Sequence, residues 1–196
     1  MTAKVVYGLV LAGGKSRRMG QDKALLQRGD DSQLAYAVGI LEKCVDRVFV
    51  STRADQKDDE ERRRFEQIVD RYDDMGPVAG ILSALEEHPE VDWLVVACDL
   101  PNISAETIRN LLDEREGEPL FTAYSSSYDG LPEPLCAVYH EGCYEAVRRF
   151  VDDGINCPRK ILIRSETRLL RQADPSALDN VNTPDDLQNS ILQESR

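Results

Sequence analysis

The sequence predicts an α/β fold, a mostly parallel central sheet with helices on both faces in a three-layer sandwich. Two observations predict it. Short apolar, β-rich runs alternate with stretches whose apolar residues recur at helical spacing. Repeated β–helix–β units of that kind imply parallel strands. The run Trp93–Cys98 (WLVVAC) is also apolar throughout, as expected of a strand covered on both faces.

The elements follow in order. Val5–Leu11 is the first β-rich run, and Leu34, Ala37, Val38 and Leu41 then share one helical face. Arg47–Ser51 (RVFVS) reads as a short strand and Gln67–Asp70 as another. Between them, Asp55–Arg64 (DQKDDEERRR) is so densely charged that it reads as a solvated surface face. Gly76-Pro77 opens a helix with Val78, Ile81, Leu82 and Leu85 on one side. Proline suits the first helical position because the N–H it lacks would have no partner there. After Trp93–Cys98, Ser104 caps a helix, and Ile103 and Ile108 are spaced as a hydrophobic staple.

Leu120–Tyr124 and Leu135–Tyr139 are strands separated by the polar loop SSSYDGLPEP, and Glu141–Val151 has a helical pattern. Ile161–Ile163 and Arg168–Leu170 are short apolar pieces that periodicity does not assign. Thr183-Pro184-Asp185-Asp186 starts a helix, with a Thr cap, proline next and acidic residues facing the positive dipole end. No internal repeat, low-complexity segment or Gly/Ser linker divides the chain, so residues 1–196 read as one domain.

Composition bounds the function. A chain of 196 residues can bury about 70% of its unfolded surface, so it needs no disulfide or metal to fold. With 24 basic and 36 acidic residues the net charge is −12, which argues against nucleic acid as a partner. The apolar run Val5–Ala12 spans eight residues, far short of the roughly 20 needed to cross a membrane, and no signal-peptide pattern is present. Five cysteines (Cys44, Cys98, Cys136, Cys143, Cys157) include no C-x-x-C pair. Reduced thiols in a cytoplasmic protein are the expected state.

The most informative segment is Leu11-Ala12-Gly13-Gly14-Lys15-Ser16-Arg17-Arg18-Met19-Gly20-Gln21-Asp22-Lys23, directly after the first strand. Glycines let the backbone approach a ligand and offer N–H groups to phosphate. Lys15, Arg17, Arg18 and Lys23 place four cations within nine residues of an acidic protein, which suits an anionic ligand such as a triphosphate. A Walker A loop would need its first glycine at position 9, which is Leu9. Gly13, Gly14 and Gly20 do not have dinucleotide-fingerprint spacing either.

This loop resembles the signature of nucleotidyltransferases of the molybdenum cofactor guanylyltransferase type and, more distantly, of sugar-1-phosphate nucleotidyltransferases. Four further segments carry the resemblance in family order across nearly the whole chain. They are Asp73-Asp74-Met75-Gly76-Pro77-Val78-Ala79-Gly80, Cys98-Asp99-Leu100-Pro101, Glu133-Pro134-Leu135-Cys136-Ala137-Val138-Tyr139 and Asn180-Val181-Asn182-Thr183-Pro184-Asp185-Asp186. The fold implied is the Rossmann-like sandwich of the nucleotide-diphospho-sugar transferases.

The implied reaction transfers GMP from GTP to molybdopterin or the molybdenum cofactor, with Mg²⁺, releasing pyrophosphate. The acceptor's phosphate would itself be the nucleophile. Arg18 and Lys23 would neutralise the triphosphate and Asp99 would hold Mg²⁺, as a carboxylate beyond the end of a strand can. Leu11, Ala12, Gly13 and Gly14, with Gly76 and Gly80, would form the nucleobase pocket. Asp73 would stand on the nucleotide side, although Asp74 is adjacent. Asn180 and Asn182 would serve the pterin, whose ring needs amide-type donors and acceptors. Molybdoenzymes or their chaperones would receive the product.

The alternatives on the same scaffold are CTP with molybdopterin, a nucleotide with a sugar 1-phosphate, or a non-catalytic nucleotide-binding regulator. The L-A-G-G form of the loop is similar to the guanylyl branch. Of the two histidines, His88 belongs at an exposed helix end and His140 after a strand. Neither has the context of a catalytic triad.

Overall fold

A computed structural model describes residues 4–14, 22–115, 117, 119–182 and 184–192. Seven strands form the main sheet: β1 (Val6–Leu11), β4 (Arg47–Thr52), β5 (Gln67–Val69), β6 (Asp92–Ala97), β7 (Phe121–Ser125), β8 (Pro132–Tyr139) and β9 (Thr167–Leu170). A two-residue ribbon pairs β2 (Gln27–Arg28) with β3 (Asp31–Ser32). The order across the sheet is β5-β4-β1-β6-β8-β7-β9. The β1–β4, β1–β6, β4–β5 and β7–β9 pairs are parallel, and β8 runs antiparallel to both its neighbours. The sheet is therefore mostly parallel, as the sequence predicts.

The helices among the described residues are α1 (Gln33–Leu41), α2 (Pro77–Glu87), α3 (Ala105–Asp113), α4 (Tyr144–Asp152), α5 (Pro158–Ile163) and α6 (Pro184–Gln188). Strand alternation divides the core. Val6 and Val10 of β1 pack on one side with Leu34, Val38 and Leu41 of α1 and Ile108 and Leu111 of α3. Leu9 packs on the other with Ile81, Leu82 and Leu85 of α2, Val147 of α4 and Ile161 of α5. Val95 and Val96 of β6 lie in opposite clusters, which explains why WLVVAC carries no polar face.

Ser104 caps α3, accepting from Thr107 N–H at 3.2 Å, and the staple residues Ile103 and Ile108 are fully buried. The two unassigned pieces become α5 and β9. The helix expected over Glu141–Val151 begins at Tyr144, because Gly142 takes φ +89°, which ends β8 in a turn first. Thr183 lies outside the described residues. His88 ends α2, but it is not a free surface ring: Tyr7, Phe49 and Trp93 surround it at centroid distances of 5.2–6.2 Å.

The carboxyl ends of β1, β4, β5 and β6 share one edge, with Leu11 opposite Ser51 on one side and Ala97 on the other. Ligand crevices of open α/β sheets lie at such an edge. A small third cluster of Leu26, Val181, Leu187 and Leu192 brings the C-terminal segment back onto the chain just after Lys23.

Candidate active site

A cleft of about 800 Å³ opens at this edge. Leu11, Ala12, Gly13, Gly14, Lys23, Asp73, Gly76, Gly80 and Asp99 all line it, so the structure brings together nine of the residues singled out in the sequence. Arg18 lies outside the described residues, as do Lys15 and Arg17.

Lys23 begins a 3-10 turn, Lys23–Leu25, whose first N–H groups Asp22 caps by accepting from Ala24 at 3.0 Å. The turn aims the Lys23 ammonium inward. Its Nζ stands 2.9 Å from Asp99 Oδ2 and 2.5 Å from Asn182 Oδ1. Both side chains of the ion pair are mostly buried, at 15% and 20% exposure. Asp99 is fixed from its backbone side. Its carbonyl accepts from Val181 N–H at 3.1 Å, and the following residues are held by Gln33 on the Leu100 carbonyl and Arg28 on the Pro101 carbonyl.

Asn182 is held by α6, its N–H donating to Asp186 at 2.9 Å. It stands beside Lys23, within the cation's own contacts. Asn180 lines a second cavity of about 570 Å³ beyond the ends of β6 and β7, with Pro101, Ser126, Tyr128, Glu133 and Arg159.

The glycines do different things. Gly76 adopts φ +59° at the start of α2, in the region that penalises any side chain. At Gly80 the constraint is space: a Cβ would lie 2.1 Å from Ser51 Oγ and 3.0 Å from Leu11 Cδ2. Gly80 thus lets α2 lie against β1 and β4. A Cβ at Gly14 would meet nothing within 4 Å, so the protein's own packing does not demand glycine there. Asp73 and Asp74 both line the cleft, and Asp74 takes φ +54°, which aspartate tolerates better than most residues.

Three residues escaped the sequence reading. Asp70 faces the cleft at the end of β5, accepting from Ser51 Oγ at 2.7 Å. Burial pushes its carboxyl up to about 6, against the opposing pull of Ser51 and Arg53. Arg53 donates to the Gly13 carbonyl and chelates Asp55 at 2.9 Å through both Nε and Nη2. Arg62, from the middle of the charge run, is buried, and this overturns the reading of that whole run as a solvated face. Three arginines in a row carry no periodicity that marks one of them as internal.

Among the described residues no three His, Cys, Asp or Glu side chains are grouped to hold a metal ion. A small hard cation that keeps its waters and takes one carboxylate plus phosphate oxygens needs no such cage, and Asp99 fits that demand.

Glycine backbone at a strand end, an inward lysine and a carboxylate facing it are the equipment of a nucleotide-handling α/β protein. The chain matches the MobA-like NTP transferase domain over residues 8–172. It is 34% identical to a probable molybdenum cofactor guanylyltransferase of Pelotomaculum thermopropionicum, covering 92% of this chain and 89% of that one. It is 35% identical to a molybdenum cofactor biosynthesis bifunctional protein of Synechocystis. That match covers 92% of this chain, which spans about half (52%) of the Synechocystis protein. The molybdopterin-guanine dinucleotide biosynthesis protein A of Archaeoglobus fulgidus has the same fold, with a TM-score of 0.78 at 23% identity, covering 93% of this chain and 95% of that one. The chain belongs to the MobA-like NTP transferase family.

Proposed function

We propose that this nucleotidyltransferase, acting as one domain, moves GMP from GTP to molybdopterin or its molybdenum-loaded form. The observation that carries the reading is the Lys23–Asp99 pair at the mouth of the Gly13–Gly14 strand end. The acceptor's phosphate oxygen attacks the α-phosphorus of GTP, and the bond to the β-phosphate breaks. Pyrophosphate leaves with the electron pair. The acceptor oxygen is already ionised, so no protein base is needed, and catalysis is alignment plus charge stabilisation.

The backbone of Leu11–Gly14 and the Gly76–Gly80 segment hold the nucleotide, with Asp73 beside it. Arg18 and Lys23 offset the triphosphate and the departing pyrophosphate. Asp99 would hold Mg²⁺, which when bound supplies a Lewis acid for phosphate oxygens. Asn180 and Asn182 hold the pterin. The five cysteines are all free thiols, which supports a cytoplasmic setting. Molybdoenzymes or their chaperones would accept the product.

The test is thermal unfolding with GTP, CTP, UTP or ATP in the presence of Mg²⁺. At a hundredfold excess over Kd the preferred nucleotide adds roughly 2.7 kcal/mol of stability, and GTP is expected to be that nucleotide. Equal stabilisation by CTP and GTP would remove the guanine assignment.

A further inference from the structure

Arg62 lies within the densest charge run of the chain, yet it is 1% exposed. A guanidinium is taken out of water at considerable cost unless it is paired and hydrogen-bonded. One Nη2 donates both to the Ala12 carbonyl and to Asp22 Oδ2, each at 2.7 Å. Asp59 stands 3.4 Å from Nη1 and also accepts the Arg62 backbone N–H at 3.2 Å, fixing the 3-10 turn Arg62–Arg64 from which the side chain enters.

The two Nη2 acceptors are ten positions apart in the chain and belong to different parts of the site. Ala12 continues β1 into Gly13 and Gly14, and its own N–H donates to Ser51 at 3.1 Å. Asp22 caps the turn that carries Lys23, and its other oxygen receives Ala24 N–H. Arg62 therefore joins the strand end that offers backbone to a ligand to the turn that offers a cation, while touching neither Lys23 nor Asp99 by any bond the structure gives it.

We propose that Arg62 is a positioning residue for nucleotide transfer. It sets the distance between the Ala12–Gly14 backbone and the Lys23 turn, and through Asp22 it sets the direction in which Lys23 points. The planar fork of arginine suits this task, because its rigid plane keeps Nη2 on Ala12 and Asp22 while Nη1 faces Asp59, whereas a lysine ammonium is a point charge on a flexible stem. The consequence for GMP transfer rests on the proposed function; the consequence for the Lys23 turn does not.

The experiment therefore reads both, in Arg62→Met, Arg62→Lys, Asp22→Asn and the Arg62→Met/Asp22→Asn double variant. The first readout needs no nucleotide. Amide hydrogen exchange at Ala24, whose N–H is held by Asp22, should quicken in Arg62→Met at least tenfold more than exchange at Val95 in the sheet centre, which follows the global loss of stability. The second readout is kinetic, taken below the unfolding temperature of every variant. Arg62→Met should lose at least tenfold in kcat and in GTP affinity, with KM for molybdopterin within twofold of the wild type. Arg62→Lys should recover stability but less than a third of the lost kcat. Because Arg62 acts through Asp22, the double variant should be no slower than the worse single one.

If Arg62→Met does not fold, Arg62→Lys and Asp22→Asn carry the same two readouts. Ala24 exchange that quickens no more than that of Val95 in the folded variants overturns the positioning role. Quickened exchange with unchanged kcat and GTP affinity overturns its bearing on transfer. Failure of the wild type itself to bind GTP would instead strike the functional reading and leave the exchange result standing.

Discussion

Lys23 donates to the side-chain oxygen of Asn182 across a sequence separation of 159 residues, at 2.5 Å. The same ammonium pairs with Asp99. Asp99 and Asn182, far from Lys23 and from each other in the sequence, therefore meet on one cation.

That contact changes what Asn182→Ala should do. A cleft with independent halves would lose pterin affinity alone. With Lys23 losing an acceptor, GTP binding should also weaken about fivefold, the equivalent of roughly 1 kcal/mol for one hydrogen bond. Asn180→Ala, at an exposed position in the second cavity, should leave GTP affinity within twofold and weaken molybdopterin. Calorimetry of both ligands on both variants decides it. Identical GTP affinities in wild type and Asn182→Ala would mean that Lys23 does not depend on Asn182.

Asp99→Asn keeps the shape of the side chain and removes its charge. Turnover should fall by about 10²-fold or more, the scale of one preorganised electrostatic group. Lys23→Ala should also slow turnover, while Lys57→Ala, an exposed lysine in the charge run, should not. Measured kcat values for the three variants at saturating Mg²⁺ and GTP provide the check. Near-normal turnover of Asp99→Asn would rule it out as the principal metal ligand.

The two glycine classes should separate by assay. Gly80→Ala forces a methyl onto Ser51 Oγ and Leu11 and should lower stability by about 1–3 kcal/mol, as overpacking does. Gly14→Ala meets nothing in the protein, so its melting temperature should match the wild type within a degree or two. On the proposed reading its GTP affinity should fall all the same, because the added methyl would project into the cleft where the nucleotide is proposed to bind. Unchanged GTP affinity in Gly14→Ala would remove that backbone from the nucleotide site.

The sheet and most of the cleft were legible because both are written locally. Period-two and period-3.6 patterns specify β1, α1 and β6, and a strand-end loop is a contiguous stretch of residues. Two kinds of feature were not. Arg62 looks like Arg63 and Arg64 in sequence, and only the fold shows that its acceptors at Ala12 and Asp22 make an internal cation tolerable. The Lys23–Asn182 contact likewise depends on how the Val181 cluster docks the C-terminal segment, a long-range packing event that no window of sequence contains.

Asp70 should leave a mark on the pH dependence of stability. Its folded carboxyl is raised from 3.8 to about 6, so the native state holds its proton where the unfolded chain has released it. Stability from this group is present in full below the unfolded value and is lost as pH rises through about 6. Asp70→Asn removes the ionisable group and keeps an oxygen for Ser51. The difference in melting temperature, variant minus wild type, should become more positive between pH 4 and 6 and level off above. A difference that is flat across this range would show that Asp70 titrates normally.

The opposite sign is expected at the far edge of the sheet, away from the cleft. Asp92, 1% exposed at the start of β6, accepts Glu141 N–H at 2.8 Å and stands 3.4 Å from His140 Nδ1, whose Nε2 meets Thr122 Oγ1 at 2.9 Å. Burial pushes the Asp92 carboxyl up, but the bonds from His140 and Glu141 outweigh it and hold the group below its ordinary 3.8. Its stabilisation is therefore present above 3.8 and lost as pH falls through the lower folded value. Asp92→Ala strands His140 and an N–H in the interior. It should cost about 1–3 kcal/mol, the penalty for leaving a buried donor without its partner. For a chain of this size that is a fall of about 2–12 °C in Tm. Because this cluster lies at the amino edge of β6 and the cleft at its carboxyl edge, GTP affinity of the folded variant should stay within twofold of the wild type. A large loss of GTP affinity at a temperature where Asp92→Ala is fully folded would mean that the two edges of the sheet are coupled.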